Sequence, residues 1–177
     1  MDVACGSNRD NSVIWYENAK GDSLTWTAHV QSTVHSTLSV FAADVDGDGD
    51  TDLLASTSNT DDVLWYQNNG VPLFIEHWIG GVDSGYRIHA ADVDGDGDVD
   101  AVATCGVDDT VAWWSNDGAQ SFTMRTITTL ADYAMAVWAA DLDDDGDVDA
   151  VSADYSDGAV TYHENEGDAT SWAARSS

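Results

Sequence analysis

Short apolar segments alternate with polar turns along the whole chain, and these segments have the length and composition of β-strands. Alanine-rich strands are predicted directly before three acidic loops, at residues 39–43, 87–91 and 136–140. A strand of small residues, such as 53–57, follows each loop. Next come strands with paired bulky residues, at 13–16, 63–66, 111–114 and 160–163, and strands that open with Trp26, Phe74, Phe122 and Trp172. The pattern predicts an all-β fold with four short antiparallel strands per repeat.

The three acidic loops have nearly the same sequence: DVDGDGDTD at 44–52, DVDGDGDVD at 92–100 and DLDDDGDVD at 141–149. Each loop holds five or six carboxylates within nine residues, and their mutual repulsion calls for a cation. Alternate aspartates offer the hard oxygen donors that Ca²⁺ prefers, of which it takes six to eight. A solvated acidic run has no reason to alternate and to recur with a glycine in register. The loops therefore predict three calcium sites.

The position of each aspartate predicts its role. In the first loop, side-chain oxygens come from Asp44, Asp46 and Asp48, Gly49 makes the sharp turn, Asp50 offers its backbone carbonyl and Asp52 closes the shell. The other loops repeat these roles with Asp92, Asp94, Asp96, Asp98 and Asp100, and with Asp141, Asp143, Asp145, Asp147 and Asp149. Gly97 and Gly146 hold the turn position.

An EF-hand is the first alternative for such loops. It needs a bidentate Glu at the twelfth position and a helix on each side. The twelfth positions here are Ala55, Ala103 and Ser152, and the flanking segments are rich in strand-forming residues. The sequence therefore excludes an EF-hand.

The acidic loops begin 48 and then 49 residues apart, at 44, 92 and 141. Four-stranded sheets repeated at such a period are typical of β-propeller blades. A parallel β-helix has a much shorter period, and a β-sandwich does not repeat itself. We therefore predict one propeller segment over residues 1–177, with the calcium loop between the first and second strand of each blade. Its predicted units are a three-stranded partial blade at 1–37 and blades at 38–85, 86–133 and 134–177, about three and three-quarter blades in all.

The motif Asp-x-Asp-Gly-Asp-Gly-x-x-Asp, followed by Val-x-Trp-Tyr-x-Asn, resembles the FG-GAP/VCBS repeat. This family includes the calcium-binding propeller blades of integrin α-subunits and of integrin-like mushroom lectins. The resemblance covers essentially the whole chain. It departs from the pattern at Asp144, where the first two loops have Gly47 and Gly95, and at Tyr162-His163, which replace Trp-Tyr. The resemblance implies binding of a protein or glycan ligand.

The ends of the chain also fit the repeat. Asp2 aligns with Asp52, so Asp2 is expected to be the closing residue of a fourth loop whose first seven residues are absent from the sequence. The last strand aligns with the one that opens at Trp26. We therefore expect a homo-oligomer or a part of a longer propeller.

Composition narrows the function. The formal net charge is −28, which argues against nucleic acid or an anionic membrane as a partner, and no apolar run is long enough to span a membrane. Sixteen of the 33 acidic residues lie within the three loops, so the acidity is mostly a calcium feature. Calcium loops favour an extracellular or cell-surface location, because extracellular Ca²⁺ is millimolar and fills even sites of low calcium affinity. Cys5 and Cys105 lie in different blades at non-equivalent positions, and we predict that both are small buried thiols rather than a disulfide.

Other candidate residues have simpler explanations. His29, His77, Arg125 and Arg175 share one position of the outer strand, where a cation could grip an anionic glycan but a solvated face is favoured. His89 aligns with Phe41 and Trp138 on the inner strand and is expected to pack at the channel. Adjacent aromatics on a strand face opposite sides of the sheet, so the Trp-Tyr pairs are expected in the core. The polar turns 8–11, 59–62, 108–110 and 154–157 are better placed for a ligand.

No arrangement of nucleophile, base and acid is visible, so we expect a non-enzymatic protein with structural Ca²⁺. The favoured hypothesis is a calcium-binding propeller module of an extracellular recognition or adhesion protein, with a lectin-like or integrin-like role. The alternative is a non-catalytic scaffold domain of a secreted carbohydrate-active enzyme. A glycan array measured with and without calcium distinguishes the two.

Overall fold

The computed structural model describes residues 2–19, 21–22, 24–70 and 73–176 and shows four antiparallel sheets. The first sheet contains β1 (Val3–Ser7), β2 (Ser12–Glu17) and β3 (Thr27–Ser32). The second contains β4 (Thr37–Ala43), β5 (Asp52–Thr57), β6 (Asp62–Gln67) and β7 (Ile75–Gly81). The third contains β8 (Gly85–Ala91), β9 (Asp100–Cys105), β10 (Thr110–Asn116) and β11 (Phe122–Thr128). The fourth contains β12 (Ala134–Ala140), β13 (Asp149–Asp154), β14 (Val160–Asn165) and β15 (Trp172–Ser176).

Each sheet is a simple meander in which neighbours along the chain are neighbours in the sheet. The register shifts at the start of the first strand of each four-stranded sheet, between Thr37 and Ser39, Gly85 and Ile88, and Ala134 and Ala136. Bulges of this kind increase the local right-handed twist of a strand pair. The shift recurs at the same position of the three sheets, so the three units are equivalent in register.

The first strands of the four-stranded sheets, β4, β8 and β12, are the innermost ones, and each packs on the next. Three ring side chains mark this contact: the ring centroids of Phe41 and His89 lie 4.5 Å apart, and those of His89 and Trp138 lie 4.1 Å apart. His89 is therefore a packing residue between the innermost strands, next to the two residues with which it aligns. Burial lowers the pKa of its imidazole.

The core lies between neighbouring sheets and is built largely from the aromatic strand. Trp113 and Trp114 are buried, at 0% and 1% exposure. Trp114 packs in the core between the second and third sheets, whereas Trp113 packs in the core between the third and fourth. Tyr66 lies in the core between the first and second sheets, whereas Trp65, on the other face of the same strand, lies in the core between the second and third. The prediction that adjacent aromatics are buried on opposite faces is confirmed for Trp65-Tyr66 and Trp113-Trp114, whereas Trp15 and Tyr16 are only partly buried.

The predicted fold class is also confirmed: the chain is an all-β propeller segment of three four-stranded blades and one three-stranded blade. The described residues contain no helix that is long and apolar enough to cross a membrane.

One prediction about the cysteines is wrong. Cys105 is buried, and burial raises the pKa of its thiol to about 12, but Cys5 is exposed. Cys105 packs in the core between the second and third sheets. On β1 it is the neighbouring Ala4 that packs toward the second sheet, so Cys5 lies on the opposite face of the strand. Both thiols are free, and no disulfide joins them.

Candidate metal centres

The three aspartate loops lie at the same end of the propeller segment, because each connects an innermost strand to the second strand of its sheet. Strands β5, β9 and β13 begin at the ninth residue of the loop, at Asp52, Asp100 and Asp149. The loops therefore have equivalent positions in three successive blades, as the sequence repeat predicts.

The structure brings three carboxylates of each loop together. Within each group, one ligand atom per residue lies within 4.8 Å of the others. The groups are Asp44, Asp46 and Asp48 in the first loop, Asp92, Asp94 and Asp96 in the second, and Asp141, Asp143 and Asp149 in the third. This spacing allows a single cation to contact all three members of a group. The fifth residue of the third loop, Asp145, is outside its group.

The turn glycine orders each loop around its first aspartate. Gly49, Gly97 and Gly146 have φ angles of 93°, 98° and 102°, which side chains with a Cβ rarely adopt. Their amides donate to Oδ2 of the first aspartate at 3.0, 3.0 and 3.1 Å. This hydrogen bond closes the turn in every loop and leaves Oδ1 of the first aspartate for another partner.

That oxygen is the best indicator of a cation site. Oδ1 of Asp44 and Oδ1 of Asp92 are buried and have no hydrogen-bond partner among the described residues. A buried carboxylate oxygen without a donor or a metal is costly. The donor set of each group consists of carboxylates alone, which suits a hard cation rather than a transition metal. The residues therefore fit the calcium ion that the repeat implies.

The seventh residues of the loops, Asp50, Asp98 and Asp147, contribute no carboxylate to the three groups. Their amides donate to Oδ1 of the aspartate two residues earlier, at 2.8, 2.9 and 3.0 Å. The side chain of Asp98 lies against Gly118, where an added Cβ would come within 2.5 Å of Oδ2. Their proposed contribution through the backbone carbonyl stays a prediction.

The closing aspartates have a structural task of their own. Asp52 is fully buried, and its carboxylate accepts hydrogen bonds from the amide of Val45 at 3.1 Å, the indole of Trp65 at 3.0 Å and the amide of Asn68 at 2.7 Å. Its pKa is raised by burial. These contacts tie the loop to the turn after the aromatic strand.

Asp100 and Asp149 make the corresponding contacts. Asp100 accepts hydrogen bonds from the amides of Val93 and Asn116, both at 2.8 Å, and burial raises its pKa to about 7. Asp149 accepts a further bond from the hydroxyl of Tyr162 at 3.0 Å. Asp149 alone among the closing residues joins a carboxylate group.

Asp2 occupies the closing position in the first sheet. Its Oδ1 accepts the amide of Asn18 at 3.0 Å, as Oδ1 of Asp52 accepts the amide of Asn68. The alignment of Asp2 with Asp52 therefore holds in three dimensions.

Sequence reasoning missed the polar side chains that hold the loop aspartates from outside the loop. Oδ2 of Asp46 accepts a hydrogen bond from Gln67, and Oδ2 of Asp94 accepts one from the Ser115 hydroxyl at 3.1 Å. The Tyr162 hydroxyl lies between two carboxylates, 3.0 Å from Oδ2 of Asp149 and 3.3 Å from Oδ2 of Asp143, and shares its one proton between them. Gln67 and Ser115 share one repeat position, directly before the recurring Asn, and that register was the available signal.

The histidines and the arginine at the shared position of the outer strands are packing residues as well as surface residues. His29 stacks on Trp15 and His77 stacks on Trp65, with centroid separations of 4.4 and 4.5 Å. Arg125 lies 5.6 Å above the Trp113 ring. The side chains at this outer-strand position therefore cover the indole rings of the neighbouring aromatic strand.

The opposite end of the segment carries a cluster of tyrosines. Tyr86 and Tyr133 are joined by a hydrogen bond between their hydroxyls, and the rings of Tyr133 and Tyr155 lie 6.1 Å apart. Tyr155 is 73% exposed and belongs to the polar turn 154–157 that the sequence favours for a ligand. We call these three residues the tyrosine cluster.

Comparison with known proteins agrees with the repeated fold described above. The model of the FG-GAP-like repeat matches residues 1–55, 44–103 and 92–152, and the chain therefore belongs to the FG-GAP-like repeat family. Among solved structures, the chain is similar to a lectin of Agrocybe aegerita described as recognising non-reducing terminal N-acetylglucosamine, with a TM-score of 0.61 and 19% identity. The alignment covers 100% of this chain and 52% of the lectin chain, so the chain spans about half the length of that protein. No curated protein matches the chain by sequence.

Proposed function

We propose that this chain is a calcium-stabilised recognition module of a secreted or cell-surface protein, that it is not an enzyme, and that it binds a glycan. The calcium part of the proposal rests on one observation. The first aspartates of two loops, Asp44 and Asp92, each present a buried and unpaired carboxylate oxygen to a group of carboxylates whose ligand atoms lie within 4.8 Å of one another.

Ca²⁺ suits these groups better than its competitors. Each group offers three carboxylates and no histidine or cysteine, which disfavours zinc and copper. Ca²⁺ accepts six to eight oxygens in a flexible arrangement, whereas Mg²⁺ demands a near-ideal octahedron. Three bound Ca²⁺ ions would change the formal net charge from −28 to −28 + 6 = −22.

The ions have a structural role in this proposal. Each would hold the loop between the innermost and second strand of a blade, and the closing aspartate joins that loop to the turn after the third strand. A metal that binds only the folded chain adds to its stability by mass action. Calcium would therefore set the rigidity of the blades and, through them, of the opposite end of the segment.

The tyrosine cluster is the part of that opposite end that best suits a glycan. Aromatic rings present an apolar face and, in tyrosine, a polar hydroxyl, which match the C–H face and the hydroxyl groups of a sugar. The exposed ring of Tyr155 is flanked by Ser156 and Asp157, which are also exposed. The sugar ligand of the lectin with the similar fold supports the same class of ligand for this chain.

Calcium titration and a glycan array test the proposal together. Isothermal titration of the metal-free chain is expected to show calcium uptake, and the array is expected to show calcium-dependent binding that Tyr155→Ala abolishes. Trp78→Ala is the matched control, since Trp78 is another exposed aromatic residue, at 66%, on the outer strand β7. An absence of calcium uptake contradicts the metal sites, and an array without signal in calcium contradicts the glycan.

A further inference from the structure

Two backbone positions at the end opposite to the aspartate loops are equivalent in the three four-stranded sheets. In each sheet, the carbonyl of the residue before the innermost strand accepts the amide of the residue after the second strand. The pairs are Ser36 and Ser58 at 3.0 Å, Ser84 and Gly106 at 3.2 Å, and Tyr133 and Tyr155 at 3.1 Å. Small residues occupy both positions in the second and third sheets, whereas both are tyrosines in the fourth. The repeated pattern therefore does not account for these two tyrosines.

A buried carboxylate lies beside them and also departs from the repeat. Asp154 pairs with Ala134 in the fourth sheet, at the position where Cys105 and Thr57 stand in the third and second. It shares a face of β13 with Ala150, which packs in the core between the third and fourth sheets.

This carboxylate is only half satisfied. Asp154 is 4% exposed, and its Oδ2 accepts the hydroxyl of Thr161 at 3.3 Å, but Oδ1 has no hydrogen-bond partner among the described residues. A buried carboxylate oxygen without a donor is costly, and a cation nearby would lower that cost. Asp154 therefore gives the base of the tyrosine cluster a fixed negative charge.

Tyr86 completes the cluster from the third sheet. Its ring lies over Gly106, where an added Cβ would come within 2.6 Å of Cδ2 of Tyr86. The ring planes of Tyr86 and Tyr133 are inclined by 53°, with centroids 5.4 Å apart, and those of Tyr133 and Tyr155 are inclined by 57°. All three rings are at least partly exposed. The cluster therefore presents aromatic faces in several directions rather than one flat stack.

The turns around the cluster carry only negative charge. Residues 83–86, 106–110, 130–134 and 154–158 contain six aspartates and no Lys, Arg or His. Four of these aspartates are exposed, namely Asp83, Asp108, Asp132 and Asp157. Arg87 follows Tyr86 on β8, and adjacent side chains of a strand point to opposite sides of the sheet.

Two further observations place carboxylates close to the rings. Oδ1 of Asp109 accepts the amide of Tyr133 at 2.9 Å. Burial raises the pKa of the Cys105 thiol, and the charges of Asp108 and Asp83 raise it further. These two carboxylates therefore lie near the residue that precedes Gly106, on which Tyr86 packs.

Aromatic faces combined with carboxylates are the groups that recognise an ammonium ion. A cation within about 6 Å of a ring centroid is attracted by the ring, and fixed carboxylates attract it over a longer range. The same carboxylates repel sulfated and carboxylated sugars. We infer that the tyrosine cluster binds its glycan through a sugar with a free, protonated amine, such as an unacetylated glucosamine unit. This inference rests on the proposed function, because it specifies the glycan that the cluster binds.

Two oligosaccharides that differ only in their acetyl groups test the inference. The chain is titrated in millimolar calcium with a glucosamine tetrasaccharide and with its fully N-acetylated counterpart, at a pH at which the amine is protonated. Isothermal titration is expected to show at least about tenfold tighter binding of the glucosamine form. This preference is expected to shrink as the salt concentration rises, because salt screens the exposed carboxylates.

Two variants assign the preference to the carboxylates. Asp132→Asn removes an exposed charge next to Tyr133, and Asp154→Asn removes the buried charge but keeps an oxygen for Thr161. Each is expected to weaken binding of the glucosamine form several-fold and to leave binding of the acetylated form unchanged. Glu166→Gln is the matched control, since Glu166 is exposed and lies in the turn after β14, at the end that carries the aspartate loops. Asp132 is exposed, so its variant tests the inference even if Asp154→Asn unfolds.

Choline, an ammonium compound without a sugar, separates the two sources of the positive charge. It is expected to compete weakly with the glucosamine tetrasaccharide, and competition of equal strength overturns the assignment to an amino sugar. Equal affinity for the two tetrasaccharides, or an Asp132→Asn variant that binds like the parent chain, also overturns the inference. Binding of other glycans on the array without binding of glucosamine overturns the inference alone, whereas an array without any signal overturns the proposed glycan function and the inference with it.

Discussion

The side-chain amide of Asn116 donates a hydrogen bond of 3.0 Å to the backbone carbonyl of Val45, which lies 71 residues earlier in the chain and in the preceding sheet. Asn165 makes the same bond to Val93 at 3.4 Å. Both donors are buried, at 2% exposure. The recurring asparagine therefore joins each blade to the aspartate loop of the blade before it, and links the candidate metal sites to the stacking of the sheets.

Asn116→Ala should destabilise the chain more than Asn68→Ala. Both residues donate within their own sheet and accept the amide two residues later, at Gly118 and Gly70, but Asn116 alone of the two also bonds to the preceding loop. Loss of that bond leaves the buried carbonyl of Val45 without a donor, which costs about 1–3 kcal/mol. Urea unfolding of both variants measures the difference. Equal losses of stability would show that the contact between sheets contributes nothing.

Removal of calcium should lower the melting temperature. At a free calcium concentration 100 times the dissociation constant, one site adds about 2.7 kcal/mol, which corresponds to a shift of more than about 5 °C in a domain of this size. Differential scanning calorimetry with calcium and with a chelator measures the shift.

A single loop variant provides the control for that experiment. Asp92→Asn is expected to remove one calcium site and part of the shift in melting temperature. Asp83→Asn also removes one negative charge, but from an exposed residue outside the loops, and is expected to leave that shift intact. A melting curve that is the same with calcium and with chelator would contradict a structural role for the metal.

The strands and loops could be predicted because they repeat. The same pattern of apolar and polar residues returns in each blade. Three copies of one loop also reduce the chance that the assignment of any single loop is accidental. The opposite burial of Trp113 and Trp114 followed from the alternation of side chains along a strand. These features depend on local sequence, and the alignment of the repeats was sufficient to find them.

Contacts between sheets could not be predicted in the same way. The recurring asparagine is visible in the sequence, but its acceptor at Val45 depends on how two sheets stack. The third carboxylate group includes Asp149, and the hydroxyl of Tyr162 contacts it there, at the position where the second sheet has Trp65. The exposure of Cys5 was missed because it depends on which face of β1 packs against the second sheet. Each of these features requires knowledge of a neighbour that is distant in sequence.

Gly80→Ala should be strongly destabilising, whereas Gly81→Ala should be tolerated. A Cβ on Gly80 would lie 2.0 Å from Nε1 of Trp114, a side chain that is only 1% exposed and has no room to move. A Cβ on Gly81 would meet only the carbonyl of Asp61, at an ordinary contact distance of 3.5 Å. Overpacking of a core costs about 1–3 kcal/mol. Chemical denaturation of the two variants measures the cost, and equal stability of both would mean that Trp114 shifts freely.

His163 should make the stability of the chain depend on pH below about 6.5. Its side chain is 1% exposed and forms a 3.1 Å hydrogen bond between Nε2 and the Ser152 hydroxyl, and burial lowers the pKa of the imidazole from its ordinary value of 6.5. The unfolded chain therefore binds this proton at a higher pH than the folded chain does. As the pH falls below 6.5, protons bind preferentially to the unfolded state, and the free energy of unfolding decreases by at most about 1.4 kcal/mol per pH unit for one group.

His163→Gln removes that titration and retains a polar side chain for Ser152. The free energy of unfolding of the variant, measured by urea titration between about pH 7.5 and pH 5, should therefore fall less steeply than that of the parent chain. The same slope in the parent chain and in His163→Gln would show that the buried imidazole does not control the acid sensitivity of the fold.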